Sequence, residues 1–97
     1  MEILNAKITG ATLGEMGRGF TSMLDLDYGG SGQGFGGYAL RGATTDKWIR
    51  GVLKTLELEA WEDLKGTACR ARIEDGMVSA IGHYLKDQWF TPKTDLA

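Results

Sequence analysis

Apolar and polar residues alternate in the first part of the chain, a pattern that is typical of β-strands with one buried face. Residues 3–9 predict a first strand whose core face carries Leu4, Ala6 and Ile8. Residues 20–28 predict a second strand, with Phe20, Ser22, Leu24, Leu26 and Tyr28 on one face. A third strand at about residues 37–41 pairs with the second as a hairpin. The glycine-punctuated stretch 10–19 is interpreted as a loop.

A helical period replaces the strand period in the middle of the chain. Residues 46–56 predict a helix with one apolar stripe, formed by Trp48, Ile49, Val52, Leu53 and Leu56. Thr44 or Thr45 is the expected N-cap. Gly51 costs about 1 kcal/mol against alanine inside a helix, so it indicates a close approach to another element. A short helix or turn is expected at residues 60–64.

The last third predicts a second hairpin, with strands 67–74 and 77–84 around the turn Asp75-Gly76. The simplest register pairs Glu74 with Met77, Arg72 with Ser79 and Arg70 with Ile81. It places Cys69 on the core face, and Arg70, Arg72 and His83 on the opposite face. The aromatic pair Trp89-Phe90 is expected to close the core, and residues 93–97 to form a loose tail.

These elements predict an α+β domain, an antiparallel sheet of about five strands with one main helix packed on one face. Ninety-seven residues suit a single domain covering 1–97. The single cysteine excludes an internal disulfide. No apolar run approaches the ~18 residues of a membrane span, and the start lacks the pattern of a signal peptide. The expected location is therefore the cytoplasm, with no membrane partner.

The densest compositional feature is the segment 29–37, in which six of nine residues are glycine. Because glycine loses the most backbone entropy on ordering, this run predicts a wide loop with unusual dihedrals, close backbone approach or mobility. Residues 32–37 match the letters GxGxxG. A dinucleotide site requires a helix directly after that motif, whereas a short strand is predicted here, so phosphate binding by this loop is a minor hypothesis.

Few other residues suggest chemistry. Asp25 and Asp27 share one strand face, about 7 Å apart, which suits a solvated face better than a metal or acid–base site. His83 is the only histidine and forms with Arg70 and Arg72 a candidate anion-binding site. Lys47, Arg50 and Lys54 form a basic helix stripe. The sequence contains no recognisable catalytic set, so we expect no catalytic residues, no metal, no cofactor and no enzymatic activity.

The glycine segment and its flanks carry a family resemblance. Residues 24–40, LDLDYGGSGQGFGGYAL, resemble a signature block of small, mostly uncharacterised proteins from tailed phages and prophages. Residues 61–66 and 81–90 are similar to the same group, so the resemblance extends over most of the chain. It implies a phage accessory protein in a bacterial host cell, and it implies no catalytic residues. Small acidic phage proteins often bind and disable a host defence protein such as a CRISPR effector, an analogy at the level of class.

Two functional hypotheses follow. The first is a non-enzymatic protein that inhibits a host protein by binding it through the glycine loop, with Tyr28, Gln33, Phe35 and Tyr38 as contacts. The alternative is a nucleotide or nucleic-acid binding module that uses glycine-loop amides with Arg70, Arg72 and His83. The net charge of −2 favours the first hypothesis, and homo-oligomerisation stays open in both.

Overall fold

A computed structural model describes residues 1–17 and 19–97 and confirms the α+β class. It contains six strands rather than five. In chain order the elements are β1 (Glu2–Glu15), β2 (Phe20–Tyr28), β3 (Ser31–Gly36), α1 (Ala43–Leu56), a 3-10 turn (Trp61–Asp63), β4 (Ala68–Glu74), β5 (Met77–His83), β6 (Trp89–Phe90) and α2 (Pro92–Asp95). In the described residues, no helix is long and apolar enough to cross a membrane.

The first strand is shared between two halves of one antiparallel sheet, whose order is β3-β2-β1-β4-β5-β6. Residues 2–7 of β1 pair with β4, and residues 7–15 pair with β2. The pairing with β2 has a register irregularity between Ile8 and Gly10, just beyond the last residue that pairs with β4. Such a bulge bends a strand and increases its twist, so the two halves curl toward each other. Because β1 continues to Glu15, the prediction of a loop at 10–19 is wrong for residues 10–15.

The glycine segment is mostly a strand and not a wide loop. Gly29 and Gly30 form a two-residue turn with φ of 65° and 85°, and β3 begins at the next residue. The strand predicted at 37–41 is thus displaced toward the N-terminus, and residues 37–41 have no regular structure.

The side chain of Gln33 closes the curled sheet into a partly open barrel. Its Nε2 donates to the carbonyl oxygen of Gly76 (2.9 Å), and its Oε1 accepts from the amide of Val78 (2.5 Å). One donor and one acceptor on the same amide reproduce the pairing that a neighbouring strand would offer to β5. Gln33 therefore links the two ends of the five-strand array β3-β2-β1-β4-β5.

The core lies between the sheet and α1. Trp48 and Val52 are fully buried, Leu56 is nearly so, and Ile49 and Leu53 pack against them, which confirms the predicted apolar stripe. The expected close approach at Gly51 is also present, because an added Cβ would lie 2.4 Å from Cε1 of Phe90. The predicted cap is wrong: Gly42 is the N-cap, and Thr44 and Thr45 lie within the first turn.

The second hairpin forms around Asp75-Gly76 as predicted, but its register changes after two pairs. A bulge next to Ile73 places Arg72 opposite Ala80 and Arg70 opposite Gly82, one residue away from the predicted partners. Cys69 remains on the core face and is fully buried. The tail also differs from expectation, since residues 92–95 form α2 and Leu96 packs against the core.

Burial gives Cys69 a testable pH dependence. Desolvation raises the pKa of its thiol from 9.0 to about 11. We expect a thiol reagent to react slowly with the native protein and quickly in denaturant. Because the native pKa is the higher one, the stability that comes from burying the neutral thiol is present below pH 9 and is lost as the pH rises toward about 11. Equal reaction rates in the two states would contradict the burial of this thiol.

The barrel closure is tested by substituting Gln33. We expect Gln33→Ala to lower the free energy of unfolding by about 1–3 kcal/mol, because two hydrogen bonds are lost and the Val78 amide is left unpaired. Gln33→Glu keeps an acceptor for Val78 but turns a carboxylate oxygen toward the Gly76 carbonyl oxygen, so it should also lower the free energy of unfolding. Urea denaturation measures both. No change in either variant would show that the bridge does not contribute to stability.

Candidate functional site

The outer face of β2 and β3 carries side chains on only one of the two strands. Met23, Asp25 and Asp27 of β2 point away from the core, because Ser22, Leu24 and Leu26 point into it. The residues opposite them on β3 are Gly36, Gly34 and Gly32. The outward side of β3 is therefore bare backbone.

The surface on the other side of Asp25 also lacks a side chain. Its partner on β1 is Gly10, so the carboxylate lies between two glycines of neighbouring strands. An open depression of about 560 Å³ follows this surface, which we call the glycine trench. Its lining residues are Thr9, Asp25, Leu26, Asp27, Gly30, Ser31, Gly32, Gln33 and Gly34.

Some glycines of the segment are required by the fold. Gly29 and Gly30 adopt the positive φ of the tight turn. Gly36 has a φ of 122°, and an added Cβ would lie 2.5 Å from the carbonyl oxygen of Ser22 and 3.0 Å from the ring of Trp48. Gly37 also has a positive φ, 81°. A side chain at any of these four positions would be strained.

Gly32 and Gly34 are not required in this way. Neither has a positive φ. An added Cβ on Gly32 would meet the Leu26 carbonyl oxygen at 3.6 Å, an ordinary contact. One on Gly34 would meet the flexible thioether of Met23 at 2.8 Å, which can move aside. Glycine weakens a strand interior and often marks a site where a ligand or another backbone approaches closely, so these two positions are the strongest sign of function.

The trench is acidic. Asp25 and Asp27 are exposed, and in the part of the chain that the structure describes no basic nitrogen lies within 4 Å of either carboxylate. Lys7 is opposite Asp27 on β1 but does not form an ion pair with it. No group of three or more metal-ligating side chains occurs among the described residues. The trench therefore offers two carboxylates beside bare backbone, which suits a cationic side chain on a close-fitting partner.

The four predicted contact residues do not form one exposed surface. Phe35 is in the core, 1% exposed and stacked on Trp48 with 5.4 Å between ring centroids, so its ring cannot face a partner. Tyr28 is half-buried against the core, and the amide of Gln33 is engaged with β5. Only Tyr38 is exposed, at 41%. Phe35 lies in a strand in which every second residue faces inward, so its ring points into the core. The hydrophobic effect favours this burial over exposure to a partner.

The three residues of the predicted anion site do not lie together either. The guanidinium groups of Arg70 and Arg72 both lie against the Trp89 ring, 4.9 and 4.6 Å from its centroid. The imidazole of His83 belongs to the other face of the sheet, because its strand partner is the buried Cys69. Its Nδ1 accepts from the amides of Leu85 and Lys86, and its Nε2 lies 4.0 Å from Glu57. Because Nδ1 already accepts two hydrogen bonds and Nε2 lies beside a carboxylate, His83 does not form a common site with the two arginines.

Sequence reasoning did not identify the trench or the role of Trp89. A signal for the trench exists, since Gly32, Gly34 and Gly36 recur with a period of two, the period of a strand face without side chains. The contact of Trp89 with both arginines depends on Gly82, where an added Cβ would lie 2.7 Å from the indole. That contact depends on the shifted register and has no local signature.

Comparisons with protein-family models, curated proteins and solved structures gave no match for this chain. The connectivity itself is informative. Strands β1 to β5, with α1 between β3 and β4, follow the chain order of the partly open five-stranded OB barrel. Shared connectivity concerns architecture and assigns no ligand.

The two kinds of glycine are expected to differ when a methyl group is added. Gly32→Ala should leave the free energy of unfolding within about 0.5 kcal/mol of the original, because the position is open and extended. Gly36→Ala should lower it by at least about 2 kcal/mol, because of backbone strain and the contact with Ser22. Gly14→Ala is the control, since Gly14 lies in β1 with open space around it. A large loss for Gly32→Ala would mean that the fold itself requires this glycine.

Proposed function

We propose that this chain is a non-enzymatic binding protein that docks on a protein partner through the glycine trench. The observation that carries the proposal is the pair Gly32 and Gly34, two strand glycines that the fold does not require. Leaving out both side chains weakens β3 and lets another chain lie directly on its backbone. A partner that lies so close gains contact area over the β3 backbone that any larger residue would prevent.

The charge of the trench suggests what the partner presents. Asp25 and Asp27 lie beside bare backbone without a cation of their own in the described structure. A lysine or arginine on the partner would reach these carboxylates across the glycines, since no side chain of β3 lies between them. A basic, extended segment therefore fits this surface better than an apolar or acidic one.

The family resemblance supports a biological setting for this binding. Small proteins of tailed phages and prophages act inside a bacterial host, so a host protein is the proposed partner. Inhibition of that protein, for example a component of a defence system, is the proposed consequence. Tyr38 is exposed and directly follows the glycine segment 29–37, so it is the aromatic residue best placed to add to the interface.

Capture from a bacterial lysate tests the proposal, provided that it is carried out with matched variants. The tagged original protein, Gly32→Ala, Asp25→Asn and the control Gly14→Ala are compared by mass spectrometry after nuclease treatment. We expect one host protein to be recovered with the original and with Gly14→Ala. Its recovery should fall by at least about fivefold with the other two, which corresponds to about 1 kcal/mol.

Measurement with the purified partner then separates binding from folding. Calorimetric titration should show a weaker affinity for Gly32→Ala at an unchanged melting temperature. Equal affinity of all four proteins would place the interface outside the trench and would overturn the proposal.

A further inference from the structure

A second surface, distinct from the trench, lies between α1 and β6. It is a groove of about 550 Å³ whose lining includes Gly51, Phe90 and Trp89. Lys47, Arg50 and Lys54 line one side of it. None of its lining residues lines the trench. We call this surface the cationic groove.

Trp89 extends the cationic groove onto the outer face of β4. Both Arg70 and Arg72 approach its ring within 5 Å of the centroid, as given above. Arg70 is held there by the carbonyl oxygens of His83 (2.9 Å) and Lys86 (2.8 Å), so its position is fixed by backbone. Trp89 thus lines the groove beside α1 and also carries the two arginines of β4 over its ring.

Four carboxylates lie near this surface, and only Asp46 and Glu57 are paired with a cation in the described chain. Asp46 pairs with Arg50 at 2.6 Å, and Asp95 accepts from the amide of Thr91. Asp87 accepts from the indole Nε1 of Trp89. Glu57 pairs with Lys86 at 2.7 Å, and this hydrogen bond holds the pKa of the Glu57 carboxyl below its ordinary value. By contrast, Lys54, Arg70 and Arg72 have no carboxylate within 4 Å in the described chain.

We infer that the cationic groove binds the sugar–phosphate backbone of a single-stranded nucleic acid, with Lys54, Arg70 and Arg72 as its phosphate contacts and Trp89 as its aromatic contact. Unpaired cations beside an aromatic ring are the combination that holds single strands without reading sequence. A groove of this volume accommodates one or two nucleotides and is too small for a duplex. The acidic trench cannot take this role, because its carboxylates repel phosphate.

Fluorescence anisotropy with a labelled oligothymidylate of about 12 nucleotides tests the inference. The full chain is compared with Lys54→Gln, Arg72→Gln and the double variant. Lys65→Gln, an equal loss of charge in an exposed turn outside the groove, is the control. We expect each groove variant to weaken binding by about threefold to tenfold. The slope of log affinity against log salt concentration should become shallower by about 0.7 for each charge removed.

Three results would overturn the inference. The first is no binding by the original protein at low salt, and the second is equal affinity for the groove variants and Lys65→Gln. The third is equally tight binding of polyglutamate, which would identify a general surface for acidic proteins. Because neither Lys54 nor Arg72 lies in the trench, Gly32→Ala should bind the oligonucleotide normally, and failure here leaves the proposed protein interface unaffected.

Discussion

The fold depends on the burial of one side chain, Trp48. It is fully buried, and its ring contacts residues from three other segments of the chain. Phe35 of β3 stacks on it at 5.4 Å, Phe90 of β6 meets it edge-on at 5.5 Å, and Tyr38 lies at 5.9 Å. Such aromatic pairs contribute about 0.5–1.5 kcal/mol each beyond the area that they bury. This cluster fixes α1 against both edge strands of the sheet.

Several other features follow from the position of this ring. Gly36 must lack a Cβ because one would lie 2.5 Å from the Ser22 carbonyl oxygen and 3.0 Å from the Trp48 ring, and its positive φ turns the chain out of β3. One turn along α1, Gly51 must lack a Cβ because Phe90 lies against the helix backbone. The glycines at these two positions are therefore a consequence of aromatic packing. That origin distinguishes them from Gly32 and Gly34, which contact no ring.

Elements with a strong local period could be predicted from the sequence, and elements defined by distant contacts could not. Residues 20–28 and the stripe of α1 show their periods in side chains, and Asp75-Gly76 is a local turn signal. In β3, glycine removes the side chains that would show the alternation. Gln33 finds its partners more than 40 residues away. The bulge opposite Ile73 shifts the register by one residue, which moves the later side chains of β5, such as His83, to the other face while Cys69 of β4 keeps its predicted face.

The proposed site lies in the glycine segment that the sequence singled out, but on residues other than the expected ones. Large side chains attract attention in a bare segment, which is why Phe35 and Gln33 were the expected contacts. Both are used by the fold, one for the core and one for barrel closure. The feature that remains is an absence of side chains beside two carboxylates. A pattern of missing side chains can be recognised only once the strand and its partner are known.

Net charge is a poor guide to what such a small protein binds. The value of −2 arises from 13 acidic and 11 basic residues, which nearly cancel over the whole chain. Exposed charges more than about 8–10 Å apart are largely screened at physiological salt, so a ligand responds to the charges beside it. The trench presents Asp25 and Asp27, whereas the cationic groove presents Lys54, Arg70 and Arg72, which have no carboxylate within 4 Å in the described chain. One weakly acidic barrel can therefore attract a basic segment at one surface and a phosphate backbone at another.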